Sequence, residues 1–353
     1  MSEQSFDSAC PVPHRQTTVQ LAHGGGGRLS REIIETIFRP AFGAACMTNR
    51  HDSAIFETST NRLAMTTDGY VVKPMFFPGG DIGSLSVYGT INDLAMAGAR
   101  PRALSASFIL EEGLPLEDLR RVVTSMGLAA RTAGVEIVTG DTKVVDRGKG
   151  DGVFITTTGI GVLPDNLVIG PDQVRPGDMI LLSGDLGRHG IAVLSAREGL
   201  LIEGALESDC APLHGMVQSL LDAGIDVHCL RDPTRGGLSS VLNEIALDGR
   251  IDIEIDERAI PVGDVVRGAC ELFGLDPLYV ACEGRLVAFV AEKDADRALA
   301  LIRKCPEGSE AQCIGRVVGL PPHTRDGRVT LRGRLGTTRL LDLFAGEQLP
   351  RIC

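Results

Sequence analysis

The chain has 353 residues, of which 43% are hydrophobic and 23% are charged, a balance typical of a folded protein with two or three domains. Its 46 acidic residues outnumber its 35 basic ones, so the net charge is −11 and the positive surplus of a nucleic-acid-binding protein is absent. No apolar run reaches the roughly 18 residues of a membrane span, and the polar start MSEQSFDSACPVPH predicts no signal peptide. We therefore expect no nucleic acid and no membrane among its partners. The nine cysteines lack metal-site spacing, which predicts reduced thiols in the cytoplasm.

Hydrophobic periodicity divides the first half of the chain into strands and helices. Residues 1–20 contain two prolines and predict a flexible N-terminal arm. In chain order there follow a predicted helix after Ser30, a strand at 63–67, a helix beginning near Ser84, a strand at 103–110, a helix at 116–133 and strands at 135–138 and 154–162. Turn residues then collect between Pro164 and Pro176, which indicates a domain boundary.

The second half shows the same mixture of strand and helix patterns. The predicted strands lie at 179–183, 227–230, 251–255, 286–290 and 313–318, and the predicted helices at 191–198, 213–223, 238–246, 262–273 and 295–304. This mixed order favours an α+β fold of two domains, 21–168 and 169–343, with mixed or antiparallel sheets flanked by helices. Residues 344–353 show no periodicity and predict a flexible C-terminal tail.

Three aspartates follow predicted apolar stretches directly: Asp68 in TTDGY, Asp93 in INDLA and Asp141 in TGDTK. Any one of them suits a turn or a helix cap as well as it suits a ligand. Taken together, with Lys143 two residues beyond Asp141, they predict a Mg²⁺ site between substrate phosphates, because Mg²⁺ prefers carboxylate oxygens.

Three other segments could bind an anion or move a proton. The run His23–Gly27 precedes a helix, so its backbone N–H groups could hold a phosphate, although a flexible linker explains the same run. The segment RDPTRGG at 231–237 could bind an anionic ligand or could form a turn with an internal ion pair. Glu283 in ACEG is a candidate general base if it is partly buried, and the alternative is a turn residue facing solvent.

The last residue of the chain is a cysteine, Cys353. An exposed terminal thiol is an unusual structural element because it invites oxidation. The seven residues from Glu347 to Cys353 could extend roughly 23–25 Å, so the thiol could accept an acyl-type group in one place and present it in another. The alternative is that the chain merely happens to end at a cysteine.

A set of motifs covers nearly the whole chain beyond the N-terminal arm. They are LAHGGGGRLS, TTDGYVVKPMFFPGGDIG, GTINDLAMAGARP, FILEEG, TGDTKVV, RDPTRGG, ACEGRL and the terminal PRIC. Together they resemble the HypE family, the hydrogenase-maturation carbamoyl dehydratases of the aminoimidazole-ribonucleotide-synthetase superfamily. The terminal PRIC separates this family from the purine, selenophosphate and thiamine-phosphate members of the superfamily.

The resemblance implies a fold, an activity and partners. The fold would be two PurM-like domains, paired into a homodimer through the N-terminal domains, with ATP and Mg²⁺ in a cleft between domains. HypF would load a carbamoyl group onto Cys353, and ATP-dependent dehydration would convert this S-carbamoyl group to S-cyanocysteine, a thiocyanate. The HypC–HypD complex would then accept the cyanide ligand for the iron of a nickel–iron hydrogenase.

Such a dehydration needs phosphorylation of the amide oxygen, because that oxygen is a poor leaving group. Lys143 would balance charge on the transferred group, and Glu283 would remove the N–H proton, with His189 as the alternative base. We therefore expect the catalytic set Cys353, Lys143 and Glu283, the ATP site Gly24, Gly25, Gly26, Asp68, Asn92, Asp93, Asp141 and Thr142, and the Mg²⁺ ligands Asp68, Asp93 and Asp141.

Two other functions stay open on the sequence. A selenophosphate synthetase would share the ATP cleft but would carry its reactive cysteine beside the glycine-rich segment, where Cys10 is the only candidate. A non-catalytic scaffold would bind a partner through the PRIC tail, and ATP turnover with a carbamoyl donor would distinguish it from an enzyme.

Overall fold

The computed structural model describes residues 27–33, 35–36, 52–58, 62–200, 206–320, 326–343, 349 and 352–353. These residues form two α+β domains, each built on one sheet with helices packed against it. The predicted N-terminal arm, 1–20, lies outside the described residues. In the described part of the chain, no helix is both long enough and apolar enough to cross a membrane.

The first domain contains a five-stranded mixed sheet. In chain order its elements are α1 (Arg28–Ile33), β1 (Ala54–Glu57), β2 (Arg62–Tyr70), β3 (Phe76–Phe77), β4 (Gly80–Asp81), α2 (Ile82–Met96), β5 (Arg100–Glu111), α3 (Leu116–Thr132), β6 (Glu136–Val145) and β7 (Val153–Leu163). The strand order is β1-β2-β7-β5-β6, and all neighbours are antiparallel except β5 and β6, which are parallel. Strands β3 and β4 form a separate short hairpin.

The second domain contains a seven-stranded sheet. Its elements are β8 (Met179–Leu182), α4 (Arg188–Glu198), α5 (His214–Asp222), β9 (Val227–Arg231), α6 (Gly237–Gly249), β10 (Asp252–Asp256), α7 (Asp264–Phe273), β11 (Val287–Val290), α8 (Ala295–Ile302), β12 (Gln312–Val318), β13 (Val329–Arg332) and β14 (Thr338–Leu340). The strand order is β14-β13-β10-β12-β8-β11-β9, and only the β13–β10 pair is parallel. Both faces of its centre are buried, by α6 on one side and by α5 and α8 on the other.

Helix α2 lies between the two domains. It begins at Ile82 because the Asp81 carboxylate accepts hydrogen bonds from the N–H groups of Gly83 and Ser84, while the Ser84 hydroxyl accepts one from the Asp81 N–H. Most of its residues are buried on every side, as expected of a helix enclosed by other elements. Its last turn, at Ala95 and Met96, packs into the apolar cluster of the second domain. The helix therefore carries its polar residues to the domain boundary.

The sheet of the first domain has one covered face and one open face. On β2, the buried or half-buried side chains of Thr66, Asp68 and Tyr70 share the inner face with α2, and the exposed residues between them occupy the outer face. The outer face is apolar at Met65, Ile109 and Ile160, each exposed by about 40% or more. At the sheet edge, β6 is exposed along nearly its whole length. An apolar surface of this kind typically marks an interface.

Strand β6 is longer than the sequence predicts. The pattern predicts a strand ending at Val138, with Asp141 in the following loop, whereas β6 continues to Val145 in parallel pairing with β5. Gly140 permits this continuation, because a Cβ there would lie 2.1 Å from the carbonyl oxygen of Ala106 on β5. Asp141, Thr142 and Lys143 are therefore strand residues and not loop residues.

Candidate active site

A pocket lies where the two domains meet the end of the chain. Strand β2, helix α2, the loop after β9 and the segment before β11 each contribute to it. Its lining residues are Asp68, Gly69, Tyr70, Gly89, Asp93, Asp232, Thr234, Arg235, Glu283 and Cys353. The pocket thus joins two predicted carboxylates, the candidate base and the terminal thiol.

Asp93 and Asp232, which line this pocket, form a compact acidic cluster with the neighbouring Asp52. Their carboxylates each offer an oxygen that lies within 4.8 Å of the other two. Burial and the neighbouring carboxylates Asp68 and Asp232 hold the pKa of Asp93 well above its usual range. Burial and Asp52 raise the pKa of Asp232 to about 8. A divalent cation would neutralise this crowded negative charge, so the donor set fits Mg²⁺.

Asp68 lies next to this cluster on β2. The hydroxyl of Tyr70 donates to Asp68 Oδ2 at 3.3 Å, and Asp68 also shares a hydrogen bond with Asp93. Asp93 Oδ2 in turn accepts a hydrogen bond of 2.7 Å from the Thr66 hydroxyl. The structure therefore brings Asp68 and Asp93 together, as the sequence predicts.

Asp52 and Asp232 are site residues that the sequence analysis missed. Asp232 directly follows the apolar strand β9, the same signal that singles out Asp68, but the sequence predicts for its segment an anion site or a turn with an internal ion pair, and no metal ligand. Asp52 lies two residues before β1, and its carboxylate pairs with Arg231 Nε at 2.7 Å. Sequence spacing does not bring these residues together, because they come from different domains.

Asp141, Thr142 and Lys143 do not reach the pocket within one chain. The side chains of Asp141 and Lys143 are 64% and 72% exposed and pair with each other at 3.5 Å. In the sheet register, Gly140 and not Asp141 aligns with Asp68, through Thr157 and Ala106, so Asp141 projects from the opposite face. Three strand spacings also separate the two backbones by roughly 14 Å. The expected convergence with Asp68 and Asp93 therefore does not occur within one chain.

The side chain of Asn92 contacts the protein backbone and does not line the pocket, unlike the ATP-binding residue that was expected. Its side chain is buried, its Nδ2 donates to the carbonyls of Ala211 and Glu283 at 3.0 and 3.4 Å, and its Oδ1 accepts from the Leu213 N–H at 2.8 Å. Through these hydrogen bonds, the Asn92 amide joins α2 to the second domain. The expected phosphate contacts Gly24, Gly25 and Gly26 lie outside the described residues.

Glu283 is deeply buried, with 3% of its surface exposed. Its N–H donates to Asp209 Oδ1 at 3.2 Å, and Gly284 beside it allows the Asp209 carbonyl to approach so closely that a Cβ would lie 1.7 Å away. Burial, followed by the charges of Asp232 and Asp209, holds the pKa of Glu283 well above its usual range. Its Oε1 has no hydrogen-bond partner among the described residues. This oxygen is therefore available to accept a proton inside the pocket.

The terminal residue lies inside the same pocket. Cys353 shares a hydrogen bond with Glu283 and lies near Arg235. Burial and the Glu283 charge raise the pKa of the thiol, so the docked thiol stays protonated at neutral pH. The predicted tail at 344–353 is described only at Leu349, Ile352 and Cys353, and these residues contact the body of the protein.

His189, the alternative base, has both ring nitrogens engaged. Its Nε2 contacts the Ile352 carbonyl oxygen at 2.7 Å and its Nδ1 contacts the Ser208 hydroxyl at 2.8 Å. Burial lowers the pKa of His189, which keeps the ring neutral. These contacts leave Glu283 as the better-placed proton acceptor.

Comparisons with known proteins identify the family and the fold of this chain. The family models of the AIR synthase related protein match in two parts, the N-terminal domain at residues 50–163 and the C-terminal domain at 175–325. The chain is 53% identical over 339 residues to the carbamoyl dehydratase HypE of Azotobacter vinelandii, covering 96% of this chain and 98% of that protein. It superposes on a crystal structure of HypE in complex with ATP with a TM-score of 0.81 and 48% identity, covering 95% of this chain and all of that one. A HypE–HypF complex matches with a TM-score of 0.82 and 44% identity, over 88% of this chain and 99% of the matching chain.

Proposed function

This chain belongs to the HypE family of carbamoyl dehydratases, and we propose that it dehydrates an S-carbamoyl group on its own Cys353 to S-cyanocysteine. The predicted fold of two PurM-like domains is confirmed by the two matching family models. One observation carries the proposal for this chain's own chemistry: its last residue, Cys353, lies beside Glu283 in an acidic pocket between the domains. The product would supply the cyanide ligands of a nickel–iron hydrogenase.

The residues of the pocket suit the two halves of this dehydration. When bound, ATP supplies the phosphoryl group that converts the amide oxygen of the S-carbamoyl group into a leaving group. One N–H proton leaves when the oxygen is phosphorylated, and Glu283 would accept the second N–H proton as the carbon–nitrogen triple bond forms and the carbon–oxygen bond to phosphate breaks. Arg235 lines the pocket near Cys353 and would supply positive charge that stabilises the departing phosphate.

We place Mg²⁺ at Asp52, Asp93 and Asp232, with Asp68 beside them. This set differs from the predicted ligands Asp68, Asp93 and Asp141. The mutual proximity of the three carboxylates supports it, as do their raised pKa values, since a bound cation removes the repulsion.

We further propose a homodimer in which the open sheet face and β6 of one copy meet those of the other. The support is the exposure of β6 and the apolar residues Met65, Ile109 and Ile160. Asp141, Thr142 and Lys143 do not reach the pocket of their own chain, and in this arrangement they would act on the pocket of the partner copy.

The partners follow from the same reaction. HypF would load Cys353, and the existence of a HypE–HypF complex among similar structures supports this partner. The HypC–HypD complex would accept the cyano group, and the cytoplasmic location stays a prediction from the sequence.

Mass spectrometry of the C-terminal peptide tests the proposal. After incubation with HypF, carbamoyl phosphate and ATP, we expect the peptide to gain a carbamoyl group and then to lose one water. Cys353→Ala should show neither change, while Cys305→Ala, a matched change of a half-buried cysteine distant from the pocket, should behave as wild type. Carbamoylation and dehydration of the Cys353→Ala variant would refute the proposal.

A further inference from the structure

His189 is not among the residues that line the pocket, yet it is fully buried in the first turn of α4. Its ring lies edge-on to Phe77, with ring centroids 5.3 Å apart. Its Nε2 points at the main-chain carbonyl of Ile352, the residue just before Cys353. A fully buried histidine ring therefore contacts the backbone at the end of the chain.

The hydrogen bonds around His189 fix its tautomer. A carbonyl oxygen can only accept, so Nε2 carries the proton and donates to Ile352. In a neutral ring Nδ1 then accepts, which makes the Ser208 hydroxyl the donor at 2.8 Å. The Ser208 oxygen accepts in turn from the Cys210 N–H at 3.1 Å. Each donor in this chain of hydrogen bonds, from the Cys210 N–H to the His189 Nε2–H, is therefore matched by an acceptor.

The side chains of the tail complete this attachment. Ile352 is 4% exposed and belongs to the apolar cluster that includes Val193 and Ala281. Leu349 packs over Gly190, where a Cβ would lie 3.1 Å from the Leu349 methyl group. At its described residues, the tail is therefore held by an apolar anchor at Ile352 and by the hydrogen bond from His189 to its backbone.

From these contacts we infer that His189 is a positioning residue that latches the tail, fixing the register at which Cys353 enters the pocket. This inference rests on the proposed function for its purpose, because Cys353 must leave the pocket for loading and return for dehydration. A hydrogen bond to a main-chain carbonyl suits that cycle. It fixes the position of the chain without depending on what the thiol carries.

Alkylation of Cys353 tests the latch without any enzymatic step. The full-length protein is treated with iodoacetamide alone, and labelling of the terminal peptide, released by cleavage after Glu347, is followed by mass. The docked thiol is protonated and half-buried, so its labelling reports the undocked fraction. We expect His189→Ala to label about tenfold faster, because the Ile352 carbonyl loses its buried partner. His189→Gln, which retains an N–H donor at a similar reach, should label near the wild-type rate.

Two further variants complete the test. His214→Ala, the same change in the first turn of α5, serves as the matched control and should label like wild type. If His189→Ala fails to fold, Ile352→Ala must accelerate labelling while His189→Gln does not. Wild-type labelling of folded His189→Ala, or failure of the Gln variant to restore protection, would overturn the latch.

Failure of the His189 inference and failure of the proposed function can be distinguished by experiment. With HypF, carbamoyl phosphate and ATP, His189→Ala should be loaded at least as fast as wild type and dehydrated more slowly. Absence of loading in wild type would contradict the proposed function and leave the labelling result intact. Rapid labelling with unimpaired dehydration would contradict the positioning role alone.

Discussion

At the scale of single residues, the pocket depends on carboxylates that burial has shifted toward the protonated form. Glu283 is the clearest case, because desolvation is the largest cause of its raised pKa and the nearby Asp232 and Asp209 add repulsion. A base with a raised pKa holds a transferred proton more firmly than an exposed glutamate would. The backbone around Glu283 is fixed by Asp209, Asn92 and Gly284, so its carboxylate is positioned by packing.

Glu283→Gln should stop dehydration while loading continues. General-base catalysis contributes about 10²–10⁴-fold, so carbamoylated Cys353 should accumulate in this variant. Glu292→Gln, an exposed carboxylate changed in the same way, provides the control. Intact mass over time measures both steps, and wild-type dehydration by Glu283→Gln would exclude it as the base.

The same residue predicts a pH dependence. Because its folded pKa is raised, Glu283 is protonated and inactive as a base at pH values where an ordinary glutamate is ionised. Dehydration by wild type should therefore rise with pH through this raised pKa and fall below it. A single-turnover rate measured on preloaded protein gives the profile. A rate that is already constant from the ordinary glutamate range upward would contradict the assignment.

Asp93→Asn should abolish stabilisation by Mg²⁺ without harming the metal-free fold. In the absence of metal, the substitution removes one of several repelling charges, and the amide oxygen can still accept from Thr66. For wild type, free Mg²⁺ at about 100 times its Kd should add roughly 2.7 kcal/mol to the free energy of unfolding. Thermal unfolding with and without Mg²⁺ measures the difference, with Asp165→Asn as an exposed control. An equal Mg²⁺ shift in wild type and Asp93→Asn would place the metal elsewhere.

At the scale of elements, the open face of the first sheet is the feature that most needs a partner. Strand β7 lies at its centre, between β2 and β5, and carries the exposed Ile160. Strand β6 closes one edge and leaves its outward hydrogen-bonding groups unpaired with any described strand. A second copy that covers the face and the edge would bury both.

Ile160→Lys should therefore convert the dimer to monomer. A desolvated lysine at the centre of an apolar interface replaces favourable burial with the cost of an unpaired charge, so dimer affinity should fall at least about 100-fold. Light scattering at micromolar concentration measures the mass. Leu272→Lys on α7, where the leucine is 75% exposed on the other domain, should leave the mass unchanged. A wild-type protein that is already monomeric would contradict the proposed dimer.

At the scale of the whole molecule, the two copies would share their active sites. Lys143 lies on the outer face of the edge strand, whereas Glu283 and Cys353 lie in the pocket reached from the inner face. In the proposed dimer, the lysine would come from the partner copy, because it does not reach the pocket of its own chain. Each pocket would then take Glu283 and Cys353 from one chain and Lys143 from the other.

Mixing two inactive variants tests this sharing. Lys143→Ala and Glu283→Gln should each be inactive alone, because every pocket lacks one group. After exchange of equal amounts, half the dimers are mixed, and one of the two pockets in each has both groups, so activity should return to about a quarter of wild type. The measurement is dehydration of preloaded Cys353 after subunit exchange. No recovery in verified mixed dimers would show that Lys143 acts within its own chain.

The sequence by itself determined the elements and several site residues. Apolar periodicity predicted α3 and β7 to within a residue or two, because amphipathic spacing reports which side of an element faces the core. Asp68, Asp93 and Glu283 were found because each borders an apolar stretch, and Cys353 was found because a terminal thiol is chemically conspicuous. These signals depend only on neighbouring residues in the sequence, so they can be recognised without knowledge of the fold.

The tertiary structure alone decided which of these residues meet. Asp52 and Asp232 joined Asp93 because packing of the two domains brings distant segments within a few ångströms. Asp141 was excluded from the pocket of its own chain because β6 continues past Gly140 and turns its side chain to the opposite face. Asn92 became a link between domains, and His189 a contact of the tail. Residue type and spacing indicate which chemical groups the chain offers. Strand register, the face of the sheet and domain packing determine which of these groups come together, and all three depend on contacts between residues distant in sequence.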